Sequence, residues 1–205
     1  MVLTVQFMQE LLISLCVGIA LSACSGFRIF VPMLIGNLAT RFGVLDISQG
    51  FEWLGTPAAT YILGAATIAE ILAYYIPVVD NLLDTIAMPA SFVAGTILTT
   101  SFLKIDSPEL KWTLGIVAGG GIAGTIQAGT GLLRLASTKF TGGFGNSILA
   151  TIENFISIVF SALTLWIPVF IAILCVLLFV FLIRKIAKRF QNKKSKISYE
   201  NNPNL

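Results

Sequence analysis

Long apolar runs, each carrying at most one charge, dominate the pattern along this chain. Residues 11–36 hold a single charge, Arg28; residues 57–79 hold only Glu70; residues 167–183 hold none. Runs of about 20 apolar residues match a hydrocarbon core roughly 30 Å thick. The pattern predicts six apolar segments, at 9–37, 57–78, 86–103, 113–137, 147–166 and 168–186. The fold class expected is an all-α polytopic membrane protein. Between the first two segments, "LDISQGFEWL" at 45–54 is too short and too polar to cross a bilayer. Ile47, Phe51 and Leu54 recur there at helical spacing beside Trp53, which predicts a short helix lying at the membrane interface.

Composition agrees with that class and narrows the chemistry. Of 205 residues, 56% are apolar and 11% charged, against about 25% charged in a soluble domain. Mean hydropathy is +0.90. There is no histidine, so the commonest general base, zinc ligand and near-neutral proton switch are all missing. Cys16, Cys24 and Cys175 are scattered within apolar runs, with neither a disulfide framework nor metal-ligand spacing. No Ser-Lys pair suggests an intramembrane enzyme. The expectation is a non-enzyme without cofactor or metal, whose setting is the lipid bilayer, and the basic tail carries no nucleic-acid motif. "LSAC" at 21–24 has the look of a lipoprotein cleavage site. Residues 1–10 nonetheless lack Lys and Arg, and the sequence after Cys24 stays apolar, which favours Arg28 as an intramembrane residue.

The chain also repeats itself. "ACSGFR" at 23–28 is matched by "AGTGLLR" at 128–134, "ATIAE" at 66–70 by "ATIE" at 150–153, and "YYIPV" at 74–78 by "LWIPV" at 165–169. Three matches in one order divide the chain into a first membrane repeat at 1–104, a second at 105–186 and a basic, disordered cytoplasmic tail at 187–205. Three segments per half would give an inverted-topology repeat with a site near the midplane. The small-residue stretches at 24–26 and 129–131 then predict that the first and fourth segments are broken or re-entrant.

On this reading Arg28 and Arg134 are equivalent, as are Glu70 and Glu153. A charge at the centre of a membrane helix costs about 2.5–3.5 kcal/mol even on the lenient insertion scale, so the four should pair or face water. They either lock helices together or line a path with Ser25, Gly26, Thr130 and Gly131. Asp80 and Asp84, one turn apart, read as a hydrated surface turn, with cation binding or gating as the alternative. The inner face would carry Arg134, Lys139 and seven basic residues of the tail, against Arg41, Lys104 and Lys111 outside. The positive-inside rule then places both termini in the cytoplasm.

The runs "GFRIFVPMLIGNLATRFGVLD", "AEILAYYIPVVDNLLDTI" and "AGTGLLRLAS…GNSILATIENF" resemble a bacterial integral-membrane family known as domain of unknown function 4126. The resemblance spans roughly residues 10–165 and implies a bacterial inner-membrane location. It places the family's characteristic polar residues on Arg28, Glu70, Asp80, Asp84, Asn146, Ser147 and Glu153. The chain departs from the family at Tyr74-Tyr75, where Asp-Lys is usual, and by an extra apolar pair in "TGLLR". About ten residues, "FRIFVPMLIG", are similar to the arginine motif of DedA-type lipid-phosphate translocases.

The leading expectation is a transporter or channel for a small anionic solute or ion, with Glu70 or Glu153 carrying a coupling proton. Asn146 and Ser147 would support the site. A lipid-handling protein that takes a lipid headgroup and a non-transporting scaffold are the alternatives. A homodimer is admissible.

Overall fold

The structure, a computed structural model, describes residues 2–201 and is built of helices. α1 (Val2–Ser25) and α2 (Phe30–Arg41) are followed by a 3-10 turn (Glu52–Gly55), α3 (Pro57–Ala73) and α4 (Pro77–Phe102). α5 (Pro108–Leu114) runs through a π-helical stretch (Gly115–Gly120) into α6 (Gly121–Thr141), making one rod. α7 (Phe144–Thr164) and α8 (Pro168–Asn201) complete the chain. Five helical stretches are long and apolar enough to cross a membrane: Val5–Ser25, Leu82–Phe102, Pro108–Thr141, Phe144–Thr164 and Pro168–Lys185. With α3 as a shorter apolar helix, this is a multi-pass membrane protein.

Local chemistry sets the helix ends. Thr56 and Ser107 cap α3 and α5 by accepting the N–H of Ala59 and Leu110, and in each a proline follows the cap. Proline suits that first position because its missing N–H would have no partner there. Gly142 (φ 63°) and Gly143 (φ 98°) make the left-handed turn between α6 and α7, a conformation that glycine adopts without steric cost.

The first apolar segment folds back on itself as a helical hairpin. α1 stops at Ser25, residues 26–29 are non-helical, and α2 returns alongside α1, so that Leu21 lies against Gly36. The level of the turn follows from what it touches. Gly26 presses on Ala123 and Ile126, near the middle of Pro108–Thr141. Arg28 reaches Asn154, the central residue of α7. The hairpin therefore enters the bundle from one end and turns at mid-depth. Gly26 is required there, because a Cβ would lie 2.6 Å from the Ala123 carbonyl oxygen.

Packing beside the hairpin is tight and rich in small residues. α1 runs antiparallel to α4, with Gly18 against Thr99 and the Ser22 hydroxyl bonded to the Gly95 carbonyl. Gly95 meets Gly119 so closely that a Cβ on it would lie 2.6 Å from the Gly119 carbonyl oxygen. Small residues permit this backbone approach where lipid removes the hydrophobic drive for helix association.

Several expectations are corrected. The fourth segment is unbroken at 129–131: α6 is helical through Gly129, Thr130 and Gly131, and its irregularity is the π-helical stretch upstream. The stretch 45–54 forms only the 3-10 turn at its end. Ser48 is tied to the end of α4, its N–H to Ser101 O and its hydroxyl to Leu103 O, and Gly50 adopts φ 89°, so the backbone is not free to coil. Asp80 and Asp84 lie within α4, which starts at Pro77, and Asp80 is 2% exposed. α8 stays helical to Asn201, through most of the stretch expected to be disordered; no glycine or proline interrupts it after Pro168. Residues 202–205 of that tail lie outside the described residues.

Because the hairpin returns to its own end, α1 begins where α4 finishes, with Ser14 accepting the Lys104 N–H. α8 runs beside α6, Leu182 against Gly129, and finishes at the opposite end. The start of α1 and the end of α8 therefore lie at opposite ends of the bundle.

Candidate functional site

Arg28 emerges from the hairpin turn and Arg134 from α6, and both are 1% exposed. Side chains on a helix lean toward its N-terminus, so Arg134 reaches from its position beyond the bundle's centre back toward Arg28. Between them stands Glu153 of α7. Its Oε2 forms an ion pair with Arg28 Nη1 at 3.1 Å and accepts from Arg134 Nη2, while Oε1 accepts from Arg134 Nε at 3.3 Å. One carboxylate thus joins the two guanidinium groups.

Further partners complete each arginine. Arg28 donates to Asn154 Oδ1, to the Ala150 carbonyl at 3.1 Å and to the Phe27 carbonyl at 3.2 Å. Arg134 donates to Asp80 Oδ1, and Asp84 Oδ1 lies 3.8 Å from its Nε. Asp80 is held from its other side by Asn146, whose amide also donates to Thr138. The Tyr74 ring lies against both cations, 3.9 Å from Arg28 Cζ and 4.3 Å from Arg134 Cζ. Cation–π contacts of this kind are strongest where water is excluded. Tyr75, through its hydroxyl, meets Thr151 and Asn154.

Glu70 has a different task. Its two carboxylate oxygens accept the N–H groups of Ile29 and Phe30 at 2.8 and 3.0 Å. These are donors left unpaired where α2 begins, and the positive end of a helix dipole favours a carboxylate there. The N-terminus of α2, a position that favours an anion, is therefore already occupied by a side chain of this chain.

The structure brings Arg28, Arg134, Glu153, Asp80, Asp84 and Asn146 together, with Glu70 at the hairpin turn. It leaves five expected residues outside. The Ser25 and Thr130 hydroxyls donate to carbonyls of their own helices, at Ser22 and Gln127. Gly26 serves packing, and a Cβ on Gly131 would meet open space. Ser147 is exposed.

Sequence reasoning missed Tyr74 and Asn154, and with them the character of α7. The buried residues of α7 are Asn146, Ala150, Glu153, Asn154, Ser157, Ser161 and Thr164, polar except for Ala150. Their three- and four-residue spacing marks one face. This helix turns its polar face inward and its apolar face to lipid, and the spacing is legible in the sequence. Asp84 Oδ1 and Asn146 Oδ1 are buried acceptors without a hydrogen bond, so the cluster retains unused acceptor capacity. Among the described residues, no three acidic, cysteine or histidine side chains are placed to share a metal ion.

The family model described as domain of unknown function DUF4126 matches residues 15–188. The chain belongs to this family. No curated protein and no solved structure matches this DUF4126 chain. Tyr74 sits inside the charge cluster of this DUF4126 chain, and Tyr75 meets its edge through Asn154. The apolar pair Leu132-Leu133 precedes Arg134 on α6. α1 and α2 form a hairpin where α5 and α6 form a continuous rod, and α3 runs in the sense opposite to α7, as α4 does to α8.

Proposed function

We propose that this protein is a proton-linked membrane transporter for an anion, with Arg28 and Arg134 as the anion site. The observation that carries the reading is the sharing of Glu153 between two fully buried guanidinium groups at mid-depth. Four carboxylates, those of Glu70, Asp80, Asp84 and Glu153, stand against two guanidinium groups in and beside the cluster. A guanidinium already neutralised by a carboxylate binds an incoming anion only if that carboxylate leaves. A carboxylate left in a low-dielectric site without its cation favours its protonated form. Anion entry at Arg28 or Arg134 and proton uptake by Glu153 or Asp80 are thereby one event. The coupling follows from exchange of partners and needs no exposed helix terminus.

The inverted repeat belongs to this proposal as the source of alternating access: α3–α4 and α7–α8 would rock about the cluster. The test is uptake into proteoliposomes of the purified protein, with a panel of anions on one side and internal pH followed by a trapped dye. Anion uptake that acidifies the lumen in step with flux, and that Arg28→Gln abolishes in a folded protein, is the expected result. Uptake unchanged in folded Arg28→Gln would overturn the assigned site.

A further inference from the structure

We infer that the anion is the headgroup of a single-chain amphiphile, which enters sideways from the bilayer with its hydrocarbon chain in a cavity between α3 and α4; this rests on the transport reading above. α3 and α4 share the turn at residues 74–76 yet diverge from it with almost no direct packing. The wedge between them encloses about 400 Å³. Its walls include Ala66, Ala69, Ala73, Ala87 and Ala90, with Phe30 of the hairpin. Methyl-sized side chains at consecutive turns of both helices create the space. Its surroundings on the outside of the bundle are apolar: Leu72 is 61% exposed and Ile86 55%.

Two features set this cavity apart from an ordinary lipid-facing crevice. It lies within the membrane-spanning part of the bundle, where the available occupant is hydrocarbon. And its inner end is Tyr74, the ring that rests on both guanidinium groups. Tyr74 is 4% exposed, so in this conformation it separates the apolar space from the cationic pair. Rotation of that one side chain would join them. The joined space is apolar along its length and doubly cationic at its end, complementary to an alkyl chain bearing a phosphate or carboxylate. Glu70 also borders the cavity, but both its oxygens are engaged by backbone N–H groups of α2, which leaves the arginines as the groups that select the head.

The test uses the full chain in phosphatidylcholine nanodiscs, with an alkyl phosphate carrying a diazirine at the end of its chain. Cross-links are expected on α3 and α4, at Ala69, Leu83 or Ala87. Unlabelled alkyl phosphate should compete, while inorganic phosphate and an alkyltrimethylammonium should not. Filling the space with Ala66→Phe or Ala90→Phe should reduce labelling at least fivefold, and two separate fillers guard against one that fails to fold. Labelling absent from α3 and α4, or competed equally by the cationic amphiphile, would overturn the inference. Proton-linked flux of a small anion without such labelling overturns this inference and leaves the transport reading intact. Headgroup-selective labelling without flux of any anion, amphiphilic probes included, overturns the transport reading and leaves the site.

Discussion

Glu153 is the residue on which the cluster's electrostatics turn. Its Oε2 serves two cations that lie within reach of one tyrosine ring, so its loss leaves both short of a counter-charge at once. Breaking a buried pair by removing one partner costs about 3–5 kcal/mol, because the remaining charge stays desolvated. Glu153→Gln should therefore lower stability by roughly that amount, read as a fall in thermal midpoint in a fixed detergent. Glu70→Gln should cost only about 1 kcal/mol, since an amide oxygen can still accept at the start of α2 and the loss resembles that of a helix cap. Equal effects would contradict the separate tasks assigned to the two glutamates. Lys104 supplies the control. Its pair with Asp46, at 2.9 Å, is partly exposed, and such pairs contribute about 0–1 kcal/mol. The hydrogen bond to Asp46 nonetheless holds the Lys104 ammonium above its ordinary range.

The same separation of like residues appears among the helices. The sequence treats the small-residue stretches around Gly26 and Gly131 as equivalent; the structure uses the first as a chain reversal and the second as ordinary helix. Gly26→Ala should destabilise the protein and disturb the hairpin, because the new methyl would collide with the Ala123 carbonyl and Ile126. Gly131→Ala meets open space and removes a residue about 1 kcal/mol less favourable in helix than alanine, so it should be neutral or stabilising. Thermal midpoints of the two variants decide the matter, and a destabilising Gly131→Ala would restore the break at 129–131. What could be read from the sequence were features with a period or a price: the apolar segments, and the buried charges of Arg28, Glu70, Arg134 and Glu153. What could not be read were features set by a neighbour. The reversal at residues 26–29 depends on contact with α6, about 100 positions along the chain, and the placing of Tyr74 depends on two arginines from other elements. The polar face of α7 is the exception, since its spacing was present and simply unread. It yields its own expectation. Ser157 donates to the Cys24 carbonyl across the helix interface, so Ser157→Ala should loosen α7 from the hairpin and increase amide exchange at residues 24–28.

For the whole molecule the hairpin decides topology. If α1 crossed, six crossings would return the two termini to one face. With α1 and α2 entering and leaving at one end, the prediction is five crossings, by α3, α4, the α5–α6 rod, α7 and α8, with the termini on opposite sides. The basic residues keep their distribution under this change: Arg41, Lys104 and Lys111 stay on one face, with Lys139 and the basic stretch from Arg184 on the other. The positive-inside rule therefore still predicts a cytoplasmic end for α8, and the prediction for the N-terminus alone is reversed. Paired tags test this directly in cells whose inner face is protected. An N-terminal tag should be cleaved by added protease while a C-terminal tag survives, and a cysteine placed at exposed Phe42 should react with an impermeant maleimide. Phe42 follows α2 on the same face as the N-terminus, so labelling at both positions requires the hairpin. Labelling at Phe42 with a protected N-terminus would instead mean that α1 crosses the membrane, and Arg28 would lose its mid-depth position and with it the proposed site.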